Sequence, residues 1–297
     1  MTLEQLRVFV AVAERQHVTR AAEALNLAQS AVSAAIAGLE VRHATRLFHR
    51  VGRGIALTEA GSLFLVEAKA VLTRAEAAER VLAELGDLSR GTLRVQASQT
   101  IAGYWLPRHL VAYRRAHPGI EIQLAVGNTL QVAASVHRGD ADIGFIEGRI
   151  DDPLLSSRPV ARDRLVIVVG AGHPWAAACE VRPAELTRAE WVLREPGSGT
   201  RTVFEAALAG LGVPADQLRV AMELPSNESV RAAVEAGLGA TALSASVAAS
   251  SLEAGLLHKV PLDLPERDFS VVQHVERYRA RATEALLAVI AAGQTIE

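Results

Sequence analysis

The chain has 297 residues, 50% of them hydrophobic, and 31 Lys+Arg against 33 Asp+Glu leave a formal net charge of −2. That length holds two or three domains, each with its own core, and the near-neutral balance excludes a protein basic along its whole length. With no apolar run of about eighteen residues, no basic-then-apolar start after Met1-Thr2-Leu3-Glu4-Gln5 and Cys179 as the only cysteine, the sequence argues against a membrane span, a signal peptide, an intrachain disulfide and a cysteine-built zinc site. A cytoplasmic protein is expected. Charge is unevenly placed: up to Thr58, seven arginines face four glutamates, or +3, so the rest carries −5. A basic head on an acidic body predicts that only the head meets phosphates. Chance asymmetry of a solvated surface is the competing explanation.

A first helix opens on Thr2 with Gln5 three residues on, the pattern of a capping box. Leu3, Leu6, Val10 and Ala13, with Phe9 beside them, form its expected core stripe. Thr19 is the expected cap of a second helix carrying Ala21, Ala22 and Leu25, and Asn26 suits the left-handed exit. A third helix follows over about 29–40, with Val32, Ala35, Ile36 and Leu39 inward and Ser30, Ser33, Ala34 and Ala37 outward. Two short helices about a tight turn place the second in the major groove of DNA. The small, uncharged outer face fits either close packing on another helix or approach to the groove floor. In the groove, Gln29 would pair with adenine, Ser30 and Ser33 would meet bases or phosphate, and Ala34 and Ala37 would touch thymine methyls. Arg20 joins this candidate set. The stretch 46–58 reads as a β-hairpin about Gly52-Arg53-Gly54, whose Arg50 and Arg53 would reach phosphates or a narrow minor groove.

Several blocks now stand in order: Leu6, Phe9, Ala13 and Glu14; Ala21-Ala22-Glu23-Ala24-Leu25; Gln29-Ser30-Ala31-Val32-Ser33; Leu39-Glu40; Leu47-Phe48-His49-Arg50; and Leu57-Thr58-Glu59-Ala60-Gly61. Together they resemble the LysR-type transcriptional regulators. The chain departs from that pattern at Ser30, where proline is frequent, at Ala37, where a cation is frequent, and at His43-Ala44, where leucine-glycine is frequent. Losing a cation at Ala37 shifts phosphate contact toward the hairpin.

From Glu59 to about Leu88 no proline interrupts an Ala-, Leu- and Glu-rich stretch, which predicts one long helix. Leu63, Val66, Ala70, Ala77, Val81 and Leu85 form an apolar seam that packs on another helix. The resemblance implies a dimerisation helix; packing on the chain's own C-terminal part is the alternative. Ser89-Arg90-Gly91 is the expected hinge.

Beyond it, strands at 92–97, 120–126 and 141–146 alternate with helices at 106–116 and 130–138, a parallel α/β unit. Strands at 165–169 and 191–193 and a helix after Thr200 begin a second unit, with a further capping box expected at Thr187 and Glu190. A strand at 269–275 and a helix at 280–292 close the chain. The resemblance implies two lobes like those of periplasmic binding proteins, with a ligand cleft between them. The expected division is 1–58, a winged helix-turn-helix; 59–90, linker helix and hinge; and 91–297, the effector-binding domain, with lobe I at 91–161 and 266–297 and lobe II at 162–265.

Ligands in open α/β sheets sit beyond the carboxyl ends of strands, at helix N-termini. Those turns supply Ser98 and Thr100, Asn128 and Thr129, Glu147, and Gly199, Thr200 and Arg201. Hydroxyls, amides and one arginine suit a small anion, although ordinary helix capping uses the same residues. Family resemblance favours Ser98, Thr100 and Thr200, and the segment 97–107 looks most like the branch that senses sulfur oxyanions or related metabolites. Glu147 would repel an anion; pairing with Arg201 across the cleft, binding a ligand amine or proton, and pointing away all remain open.

Enzyme signatures fail their context. Gly237-Leu238-Gly239 follows a helical pattern, not a strand, so it is no dinucleotide fingerprint. Gly197-Ser198-Gly199 lacks nucleophile-elbow spacing, and no histidine pair has metal-ligand spacing. His173 reads as a turn residue and Cys179 as a small apolar filler. No cofactor, metal or catalytic residue is expected. The expected function is effector-controlled, sequence-specific regulation of transcription, with two-fold related double-stranded DNA, a small anionic effector, RNA polymerase and further copies of the chain (dimer or tetramer) as partners, and no membrane. A DNA-binding oligomer without an effector is the alternative.

Overall fold

A computed structural model describes residues 1–52, 54–84 and 91–294. Arg53, Leu85, Leu88 and the Ser89-Arg90 part of the expected hinge lie outside the described residues, as does the side chain of Val81. The chain divides into two compact units, Met1–Ala83 and Glu84–Glu297.

The first unit runs α1 (Leu3–Arg15), α2 (Val18–Leu25), α3 (Gln29–His43), β1 (Phe48–Val51), β2 (Gly54–Leu57) and α4 (Glu59–Glu84). Thr2 and Gln5 form the capping box of α1. Leu3 is exposed, whereas Leu6, Val8, Phe9, Ala11, Val12 and Ala13 are buried; α1 is covered on two sides, so its core is wider than one stripe. Thr19 does not cap α2. His17 does, its ring accepting from the Arg20 amide, because α2 begins a residue early at Val18. Asn26 closes α2 in the left-handed region at φ 55°. Phe9, Leu39, Leu47 and Ala68 share a core with Phe64, Leu65 and Leu72, so one face of α4 packs on α1, α3 and the hairpin.

The second unit runs β3 (Gly91–Ser98), a π-helical turn (Ile101–Trp105), α5 (Leu106–Ala116), β4 (Ile120–Gly127), α6 (Thr129–Arg138), β5 (Ile143–Glu147), β6 (Leu155–Gly170), β7 (Glu190–Arg194), α7 (Gly199–Gly210), β8 (Arg219–Leu224), α8 (Asn227–Glu235), β9 (Ala240–Ser244), α9 (Ala245–Glu253), β10 (Leu257–Lys259), β11 (Glu266–His274) and α10 (Arg281–Gln294). The sheet order is β4-β3-β5-β11-β6-β9-β7-β8, with β10 also on β6. Two lobes result, joined through the long antiparallel pair β6 and β11. One core gathers Leu93, Phe145 and Leu286, the other Ile167, Trp191 and Phe204. Parallel pairs β3–β4 and β3–β5 build lobe I, and β7–β8 and β7–β9 build lobe II.

Three local expectations are corrected. No helix starts at Thr187: its hydroxyl donates to the Ala184 carbonyl, and Glu190 opens β7. Polar–hydroxyl spacing alone mimics a cap. Cys179 is exposed rather than an apolar filler. The strand at 165–169 is the second half of the 16-residue β6, whose first half pairs with β11 through Pro159, beside the register shift at Phe269/Ser270. Proline donates no ladder hydrogen bond and sits at such irregularities.

Candidate functional site

In the first unit, Gln29, Ser30, Ser33, Ala34 and Ala37 are all exposed along α3, and Arg20 and Arg50 are exposed on α2 and β1. The inward Val32 and Leu39 are fully covered, so packing fixes which face α3 presents. Between α3 and the hairpin lies a concavity lined by Ser33, Ala37, Arg46, His49 and Arg50 over an apolar floor of Ile36 and Phe48. It brings the exposed side of α3 against the hairpin cations. Its geometry depends on Glu40, whose Oε1 accepts from the amides of Leu47 (2.7 Å) and Phe48 (3.2 Å) while Oε2 lies 3.5 Å from Arg46 Nη1. The hairpin is pinned again where the Ile55 amide donates to the Gln16 carbonyl (3.3 Å) and where the Thr58 hydroxyl donates to the Arg46 carbonyl (2.8 Å).

In the second unit, the strand ends and helix starts meet between the lobes. Ser98, Thr100, Thr129, Glu147 and Thr200 are all at most 3% exposed. The Glu147 carboxylate accepts from the Ser98 hydroxyl through Oε2 and from the Thr200 hydroxyl through Oε1 (3.2 Å). The Thr129 hydroxyl donates to the Glu147 carbonyl (2.8 Å). Thr129 opens α6, and Gly199 and Thr200 open α7 behind the Ser198 cap. The first turns of α6 and α7 therefore both contact Glu147, Thr129 at its carbonyl and Thr200 at its carboxylate. The lobes close tightly here: a Cβ on Gly199 would lie 2.1 Å from the Glu147 carbonyl oxygen and 2.4 Å from Thr129 Oγ1.

Arg201 does not pair with Glu147. Its guanidinium goes to Glu205 (2.7 Å), Glu223 (2.6 Å) and the Arg194 carbonyl (3.0 Å). Burial disfavours its charge, but the hydrogen bonds to Glu205 and Glu223 outweigh this and raise its pKa. The cation near Glu147 is Arg267, on the crossover strand β11. Its Nη1 donates to Thr200 Oγ1 (3.1 Å) and lies 3.9 Å from Glu147 Oε1, and its Nε donates to Asp163 Oδ2 (2.7 Å). A second network crosses the cleft beside it. Thr100 Oγ1 accepts from Asn227 Nδ2 (3.0 Å), whose Oδ1 accepts from Arg194 Nη1 (2.5 Å). Arg194 forms a two-point pair with Glu195, which also accepts from Asn128 Nδ2 (3.2 Å). Gln99 bonds the Pro225 carbonyl and the Asn227 amide.

Among the described residues no group of three His, Cys, Asp or Glu could hold a metal ion, and no single helix is long and apolar enough to cross a membrane. Gly237 and Gly239 precede β9 after α8, so they face no phosphate-binding helix start. His173 accepts from the Trp175 amide in a 3-10 turn, and burial lowers its pKa.

A family model described as "Bacterial regulatory helix-turn-helix protein, lysR family" matches residues 3–62, and one described as "LysR substrate binding domain" matches residues 86–294. The chain belongs to the LysR family of transcriptional regulators. The regulator is 36% identical to the "Uncharacterized HTH-type transcriptional regulator YeiE" of Escherichia coli K12, over 97% of this chain and 96% of that one. Full-length CbnR, solved in complex with its target DNA, shares the fold at a TM-score of 0.75 with 22% identity, covering 98% of this chain and 99% of that one. The CcmR regulatory domain of Synechocystis PCC6803, solved in complex with 2-PG, is 26% identical, with a TM-score of 0.63, and covers 69% of this chain and 97% of its own.

Sequence reasoning missed Glu40 as the hairpin anchor and missed Asn227, Arg194, Glu195, Asp163 and Arg267 in the cleft of the regulator. Leu39-Glu40 stood among the family blocks, which was a usable signal. Arg267 carried none: it lies on a strand between charged neighbours, and only the crossover brings it to the cleft.

Proposed function

We propose that the regulator is a cytoplasmic, non-enzymatic DNA-binding protein that reads two-fold related sites as a dimer or tetramer and is switched by a small anion between its lobes. The reading face is Gln29, Ser30, Ser33, Ala34 and Ala37, with Arg20, Arg50 and Arg53 on phosphate. The effector face is Ser98, Thr100, Asn128, Thr129, Gly199 and Thr200, with Glu147 beside them; Arg201 serves the lobe II framework instead. The observation that carries the effector reading is the convergence of buried hydroxyls and two helix N-termini on one point between the lobes. That is the arrangement anions select. The CcmR complex with 2-PG supports a ligand in a related domain, and the CbnR complex supports DNA as the partner of the head.

An effector favours one lobe arrangement, and the population shift changes how the paired heads engage DNA or polymerase. The test is thermal stability against a panel of organic acids and inorganic anions, with a footprint on operator DNA. A ligand at a hundredfold excess over its Kd adds about 2.7 kcal/mol to stability and shifts the melting temperature measurably. Thr200→Ala should lose that shift and keep DNA binding. If no anion moves either readout, the oligomer without an effector becomes the better reading.

A further inference from the structure

The Glu147 carboxylate meets two hydroxyl donors and one guanidinium. Ser98 and Thr200 give it their hydroxyl protons. The Arg267 guanidinium, 2% exposed, stands 3.9 Å away and feeds the Thr200 oxygen. Arg267 Nη2 lies 2.7 Å from Asp163 but off the line of an N–H, so this buried nitrogen has no directed acceptor. Thr200 stands in the first turn of α7, so that positive helix end lies beside the carboxylate, while Thr129 at the start of α6 holds the Glu147 carbonyl. Such a set is built for an oxyanion, yet its acceptor comes from the chain itself.

We infer that Glu147 is a resident surrogate ligand: its carboxylate fills an oxyanion cradle formed by Ser98, Thr200 and Arg267, and a free carboxylate, sulfate or phosphate group takes the cradle only by displacing it. The inference rests on the cleft being the effector site and says how that site is controlled. The backbone of Glu147 stays fixed during the exchange. Its carbonyl is held by Thr129, Glu147 pairs with Phe269 across β5 and β11, and Gly199 packs against it. Only the side chain swings. Two anions cannot share the cradle at close range without large repulsion in a site screened from water, so occupation by Glu147 and by ligand is exclusive. The closed lobes are then the state of the unliganded protein as well, held by its own carboxylate, and effector exchange moves the Ser98–Glu147–Thr200 link from a tethered anion to a free one.

The test uses full-length wild type, Glu147→Ala and Glu147→Gln, titrated with sodium acetate, sodium sulfate and sodium phosphate at constant ionic strength against sodium chloride, and read by calorimetry and melting temperature. If Glu147 fills the cradle roughly nine-tenths of the time, Glu147→Ala binds at least one of these anions about tenfold more tightly than wild type. The acetate arm reads a carboxylate group; the sulfate and phosphate arms read tetrahedral oxyanions. Glu147→Gln should gain less, because its amide oxygen still accepts from Ser98 and Thr200 while the repelling charge is gone, and it carries the test if the alanine variant fails to fold. Adding Arg267→Gln to either variant should remove the gain. Equal affinity in wild type and both variants overturns the inference, as does a gain indifferent to Arg267→Gln. The two readings fail separately. A metabolite that moves the wild-type footprint while the Glu147 variants gain nothing leaves the effector reading standing and removes the surrogate; tighter anion binding in the variants with no metabolite moving the wild-type footprint leaves Glu147 as the occupant of an anion cradle but removes its control of an effector site.

Discussion

Two glycines show what a single residue decides. A Cβ on Gly61 would stand 2.1 Å from the Leu47 carbonyl oxygen and 3.0 Å from its carbon, both backbone atoms that cannot step aside. Gly61→Ala should destabilise the DNA-binding unit by about 1–3 kcal/mol, the usual cost of overpacking. Gly210→Ala, with open space around its Cβ, should not, and denaturant midpoints compare the two. Gly199→Ala meets the Glu147 carbonyl and Thr129 and should hold the lobes apart, which small-angle scattering of the full chain would register as an expanded second unit. The sequence marked Gly199 as a candidate donor of a backbone amide; its need for close approach emerges only when lobe II meets lobe I. Glu147 tells the same story. Three fates were open from sequence because its neighbours Ser98, Thr200 and Arg267 come from three distant segments, and no local pattern encodes that meeting.

At the scale of elements, Glu40 couples the recognition helix to the hairpin. Glu40→Ala leaves the amides of Leu47 and Phe48 without their acceptor, a cost of about 1–3 kcal/mol if they stay buried, and frees Arg46. Hydrogen exchange at those two amides should accelerate, and affinity should fall on specific and random DNA alike, since the hairpin positions cations rather than base readers. Glu40→Gln keeps an acceptor and should retain most of the protection; unchanged exchange in Glu40→Ala would remove the coupling. The proposed base readers should behave differently: Gln29→Ala or Ser33→Ala should narrow the gap between specific and random sites, whereas Arg50→Ala should weaken both and reduce the salt slope by about 1. Elements with a clean period were legible beforehand. Helices α1, α3 and α5 and strands β3, β4 and β7 declare themselves through spacing of 3.6 or 2 and through flanking turns. The first half of β6 did not, because Arg158-Pro159 interrupts its pattern and its pairing with β11 is made across the whole second unit. The π-helical turn at Ile101–Trp105 was equally silent; such turns arise from tertiary demand rather than from composition.

For the whole molecule the decisive surface is the far side of α4. Phe64, Leu65, Ala68 and Leu72 face the head's core, while Leu63 is 68% and Val66 59% exposed, with Ala70 exposed beside them. An apolar row of this kind on a 26-residue helix is stabilised by burial against a second helix, and on the proposed dimer a second copy of the chain would supply it together with the second head that a two-fold DNA site requires. The seam was legible in its spacing but the split between the two faces was not, since Leu63 and Phe64 are equally apolar and only packing on α1 and α3 separates them. Leu63→Glu combined with Val66→Glu places like charges in the seam without touching the head's core. Sedimentation should then show monomers at concentrations where the wild type is assembled. Affinity for a site with two half-sites should fall by about 10²–10⁴, the loss of an effective concentration rather than of any DNA contact, while affinity for an isolated half-site should hold within a few fold. A double variant that remains assembled and binds paired half-sites as before would place the dimer contact elsewhere in the chain.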